Sequence, residues 1–219
     1  MVVISSAEYT KKAHLYQWAL TLALITILYN VAEGIVSVLF GMKDEALSLF
    51  GFGIDSFVEV ISGVGVWHMV RRFMKKGEAD ASRFELQALR ITGTAFYILV
   101  FGLVVTSAIS IFKGHKPETT FWGIVVALVS ILSMWTLIHY KIKVGNRLNS
   151  QAILADANCT KACLCLSVVL LLTSVGYEFT GIGGMDAVGT MIIAALSFKE
   201  GRESFRKAQG VKCSCHFER

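Results

Sequence analysis

Proline is almost missing from this chain, with one residue in 219, and charged residues make up only 17%. Soluble domains usually carry about 25% charged residues. The low charge excludes a solvated, intrinsically disordered chain. Five cysteines in 219 residues are too few for a disulfide-stapled secreted scaffold. No Gly-Lys-Ser/Thr follows any glycine cluster, so there is no phosphate-binding loop, and no Ser-His-Asp constellation can be argued. What the chain has instead is apolar residues. They amount to 54%, with a mean hydropathy of +0.60. An ordinary soluble enzyme is excluded on these grounds, and the expectation is a helical protein that crosses a membrane several times and is not an enzyme.

Six stretches are long and apolar enough to span a bilayer, which takes about 20 residues each. They run from Tyr16 to Leu39, Leu47 to Val70, Ile91 to Phe112, Phe121 to Tyr140, Ile153 to Val175 and Met185 to Phe198. The last is short and is expected to extend at both ends. The polar run before Tyr16 (Ser5, Ser6, Glu8, Lys11, Lys12) does not read as a cleavable signal peptide. The net charge of +5 does not indicate nucleic acid, because the basic residues sit in short segments between apolar ones. Seventeen of the 21 lysines and arginines fall before the first span, between spans two and three, between four and five, or after six. The alternate connections hold Lys43, Lys113 and Lys116, and Lys161 lies inside span five. The positive-inside rule then places both termini in the cytoplasm. The expected fold is all-α, with six transmembrane helices. Residues 1–208 form one membrane domain and 209–219 a short cytoplasmic tail.

Ionisable residues at membrane depth are costly and become functional candidates by default. Asp55 and Glu59 are spaced i, i+4 in span two, so they share one helix face. Cys159 and Cys163 have the same spacing in span five, and Asp156 precedes Cys159 by three residues. Two helices thus each offer a ligand pair, and four oxygen and sulfur ligands suit a tetrahedral divalent cation. Asp55, Glu59, Cys159 and Cys163 are the expected metal ligands. Asp156, Asn30, Glu33 and Asp186 are possible accessory groups. Lys161 points about 200° away from the cysteines around the helix and is read as snorkelling or pairing elsewhere. Cys213, Cys215 and His216 form a compact soft-metal pattern in the tail, either a capture site or incidental.

At these residues the chain resembles the cation diffusion facilitator (cation efflux) family. That family's second span reads like Ser-Leu-Ala-Leu-x-Ala-Asp-Ala-x-His/Asp-Ser-x-x-Asp, and here Ala46 to Glu59 reads ALSLFGFGIDSFVE. Its fifth span reads like Ala-Asp-x-x-His/Asp-x-x-x-Asp, and here Ala155 to Cys163 reads ADANCTKAC. The departures are Glu59 for Asp, cysteines at both ligand positions of span five, and a chain of 219 residues that leaves no room for the family's cytoplasmic metal-binding domain. The resemblance implies a six-span fold, export of divalent metal ions, proton antiport and a homodimer, and the compactness of the chain suggests a bacterial inner (plasma) membrane.

Two carboxylates and two thiolates around a divalent ion would leave a buried net charge, which is expensive. One thiol is therefore expected to keep its proton, or a neighbouring group to compensate. In the empty site protons are expected on the ligands, so that metal binding expels them, as a proton-for-metal exchanger requires. Thiol ligands favour soft ions. Zn²⁺ ranks first, Cd²⁺ next, then Co²⁺, Fe²⁺ and Hg²⁺. The competing readings are a membrane metal sensor and a thiol-redox protein. The i, i+4 spacing of Cys159 and Cys163 is poor geometry for a disulfide.

Overall fold

In the computed structural model, residues 6–76, 83–114, 116–148, 151–182 and 184–209 are described. They form six α-helices: α1 (Ser6–Lys43), α2 (Leu47–Lys76), α3 (Arg83–Lys113), α4 (Phe121–Leu148), α5 (Gln151–Thr180) and α6 (Gly184–Ala208). No strand occurs among the described residues. Five helices contain stretches long and apolar enough to cross a bilayer: His14–Lys43, Leu47–Arg72, Leu89–Phe112, Phe121–Leu148 and Thr160–Thr180. α6 is the sixth helix of the bundle without being apolar enough by itself. Its buried face is a stripe of small and polar side chains, including Asp186, Gly189, Thr190, Ser197, Gly201 and Ser204. Small residues let neighbouring helices approach closely, which is how membrane helices associate when apolar burial gives them no drive.

The helices pair as α1 with α2, α3 with α6 and α4 with α5, and α2 also touches α3, α5 and α6. α2 is therefore the central element, and side chains on it can meet partners from several directions. The α1–α2 seam is tight at Gly53, where an added Cβ would stand 2.8 Å from both the Ser37 Cβ and the Val38 backbone nitrogen. The large apolar side chains left outside point away from the bundle, among them Leu39, Ile98, Phe101, Phe112, Leu132, Trp135 and Leu172. An apolar exterior around a polar-lined interior is the arrangement a bilayer requires.

One end of the bundle is stitched by its turns. Asp186 of α6 accepts from the backbone N–H groups of Leu47 (2.8 Å) and Ser48 (3.1 Å) and from the Ser48 hydroxyl (2.5 Å). Glu178 of α5 accepts from the Thr120 backbone N–H (2.7 Å) and the Thr119 hydroxyl (2.8 Å) just before α4. The first N–H groups of a helix have no partner within it. Here two carboxylates flanking the α5–α6 turn provide partners for α2 and α4. The turn itself is made by Gly181, whose φ of 64° needs a residue without Cβ, and its N–H closes on the Tyr177 carbonyl at 2.7 Å. Tyr177 also donates to the carbonyl of Pro117, the only proline. The Glu118 N–H reaches the Asp44 carbonyl at 2.9 Å, tying the α3–α4 turn to the α1–α2 turn.

One expectation is corrected here. Span four was expected to end at Tyr140, with Lys141 in the segment between spans four and five. The helix instead continues to Leu148 and buries Lys141. Asp186 stands at the start of span six, as expected, in the first turn of α6, and there it serves the N-terminus of α2.

Candidate metal site

Asp55 and Glu59 lie one turn apart on α2, as their spacing requires. Asp55 is 2% exposed. Its Oδ1 accepts from the Ser197 hydroxyl of α6 at 2.7 Å. Glu59 Oε2 accepts from the Asn30 side-chain amide of α1 at 3.1 Å. The same oxygen meets the Cys163 thiol of α5. Four helices therefore converge on two carboxylates, and the contact between Glu59 and Cys163 joins one member of the acidic pair to one member of the cysteine pair.

Helix spacing explains why these groups meet. The close α1–α2 packing at Gly53 brings Asn30 and Glu33 of α1 against the Asp55–Glu59 stretch. The small-residue stripe of α6 lets Ser197 reach Asp55. Asn30 is buried, and its Oδ1 has no hydrogen-bond partner among the described residues. An orphaned buried acceptor costs free energy unless a donor or a cation satisfies it. Two carboxylates, a thiol and an amide oxygen are thus gathered here, a donor set of the kind that could hold a cation.

The remaining candidates fall in different places. Glu33 sits behind the pair, accepting from Tyr29 (2.9 Å) and Ser56 (3.1 Å) in the α1–α2 seam. Asp156 pairs with Lys141 of α4, whose Nζ is 3.0 Å from its Oδ2. Asp186 belongs to the helix-end stitching already described. Cys165 is exposed, apart from the buried Cys163. The side chain of Cys159 lies outside the described residues, as do Cys213, Cys215 and His216 of the tail. Among the described residues no three His, Cys, Asp or Glu side chains form a closed ligand set.

Two participants were not anticipated. Ser197 contacts Asp55 across 142 positions of sequence, and only the recurrence of small residues along α6 hinted at a packed face. Glu200, one turn beyond Ser197, is half-buried. It lies within electrostatic reach of Asp55.

Comparison with known proteins agrees with this architecture. The sequence model of the cation efflux transmembrane domain matches residues 20–209. The chain belongs to the cation efflux family. It is 27% identical over 180 residues to the uncharacterized transporter MJ0449 of Methanocaldococcus jannaschii, covering 80% of this chain and 63% of that protein. It is 26% identical over 200 residues to the manganese efflux system protein MneP of Bacillus subtilis, covering 86% of this chain and 67% of that protein. The chain therefore spans roughly two thirds of the length of these relatives. It is an integral protein of the plasma membrane, and its membrane domain is that of the cation efflux family.

Proposed function

We propose that the chain exports a divalent transition-metal ion, Zn²⁺ first and Cd²⁺ next, in exchange for protons. The ion is held by Asp55, Glu59, Cys159 and Cys163. The observation that carries this reading is the meeting of Glu59 with Cys163 beside buried Asp55. A carboxylate and a thiol sharing one proton lose it when a divalent ion takes both. Sulfur in the ligand set supports a soft ion over the harder Mn²⁺, which prefers oxygen. MneP is a manganese efflux protein by name, so Mn²⁺ belongs in any substrate panel. Residues 1–208 act as the transport domain, both termini lie in the cytoplasm, and two copies assemble.

The test is flux in proteoliposomes under an imposed pH gradient, comparing Zn²⁺, Cd²⁺ and Mn²⁺ for wild type and Asp55→Ala. Proton-driven Zn²⁺ or Cd²⁺ flux that disappears in the variant is the expected result. Binding without flux in the wild type would favour a sensor. Faster flux of Mn²⁺ than of either soft ion would overturn the substrate order.

Cys213, Cys215 and His216 capture cytosolic metal and pass it to the membrane site. Removing residues 211–219 should then raise the metal concentration needed for half-maximal flux without changing the maximal rate. An unmoved half-maximal concentration would make the tail cysteines incidental.

A further inference from the structure

Lys141 is 1% exposed, and among the described residues it is the bulkiest of the fully buried side chains. A lysine near the end of a membrane helix ordinarily extends its ammonium toward water. This one turns inward. Its Nζ lies 3.0 Å from Asp156 Oδ2 and donates to Thr160 Oγ1 at 2.8 Å. The partners differ in accessibility: the Asp156 side chain is 13% exposed, the Lys141 side chain 1%. The carboxylate is therefore the more accessible member of the pair.

Position along α5 adds a second observation. Asp156 precedes Cys163 by seven residues. Seven residues of helix rise about 10 Å and return to within about 20° of the same direction. Asp156 and Cys163 thus stand on one face of one helix, and in the orientation proposed above Asp156 is on the cytoplasmic side.

We propose that Lys141 is a tethered competitor of the transported ion: its ammonium occupies the Asp156 carboxylate at the cytoplasmic mouth, and a divalent cation must displace it to advance toward Cys163. The inference rests on the transporter reading. A neutral lysine–carboxylate pair attracts a passing monovalent ion weakly. A divalent ion gains twice the attraction to the carboxylate and can replace the ammonium. Thr160 keeps a hydrogen bond to the displaced lysine. The pair therefore acts as a charge filter ahead of the metal site.

The test measures flux of Zn²⁺ presented to the cytoplasmic face for wild type, Asp55→Ala, Lys141→Met, Lys141→Arg, Asp156→Asn and the double variant Lys141→Met/Asp156→Asn. Lys141→Met should lower KM by about tenfold, a coupling of the size found for close charge pairs. Asp156→Asn should raise KM, and Lys141→Arg should stay near wild type. The double variant decides between filter and brace. A filter leaves it with the high KM of Asp156→Asn, because the receiving carboxylate is gone. A purely structural ion pair predicts that each single variant loses folded protein and that the double variant recovers both yield and wild-type KM. That recovery, or an unmoved KM in well-folded Lys141→Met, overturns the inference while wild-type flux and its loss in Asp55→Ala leave the transporter reading intact. Absence of flux in the wild type overturns both.

Discussion

With Cys159→His and Cys163→Asp introduced together, Cd²⁺ flux is expected to fall about tenfold or more relative to Zn²⁺, following the ligand softness order. Cd²⁺ is the softer ion and draws more of its binding energy from sulfur. Zn²⁺ accepts imidazole, carboxylate and thiolate in the same tetrahedral arrangement. The double variant keeps the four proposed ligand positions and removes both thiols, so the change isolates ligand type from ligand number. Mn²⁺ flux should rise in the same variant, because the set becomes richer in oxygen. The measurement is competitive flux of the three ions in one vesicle preparation. A Zn²⁺/Cd²⁺ ratio equal to that of wild type would show that Cys159 and Cys163 do not determine selectivity, and the site would have to be sought around Asp55, Glu59 and Asn30 alone.

The same pair of residues shows what sequence can and cannot reveal. Asp55 and Glu59 were legible because the helix repeat places i and i+4 on one face, and because a carboxylate in an apolar run needs a reason. Cys163 was legible through the matching spacing in another span, and it does meet Glu59. The helix order and five of the six apolar runs followed from hydropathy alone. Lys141 was not legible. Apolar character ends near Tyr140, yet the backbone stays helical to Leu148, since Asp156 and Thr160 satisfy the ammonium inside the bundle. Hydropathy reads the solvent preference of each residue by itself and is blind to a partner on another helix. Ser197 was missed for the same reason: its hydroxyl has meaning only beside Asp55. Glu33 was singled out as an intramembrane carboxylate, and it is one, but Tyr29 and Ser56 occupy its oxygens.

Asp186 gives the second large effect, and it separates structural from transport roles. Its carboxylate is 3% exposed and accepts three hydrogen bonds from the start of α2, two of them from backbone N–H groups. It also sets a negative charge at the positive end of that helix dipole. Asp186→Ala removes every one of these acceptors and leaves buried donors unsatisfied. The expected loss is about 2–4 kcal/mol, a helix cap together with an orphaned buried donor. Asp186→Asn retains an acceptor oxygen and should lose less. Both are read as thermal stability of the purified protein in detergent. Seven residues of α2, about 10 Å of rise, separate Ser48 from Asp55, so any folded Asp186→Ala protein should retain the wild-type KM for metal. A variant of normal stability and raised KM would instead move Asp186 onto the ion's path. That outcome would make the stitched end of the bundle a station for the ion, whereas the hydrogen bonds drawn by this carboxylate make it the clamp that holds α2, and with it Asp55 and Glu59, in register with α6.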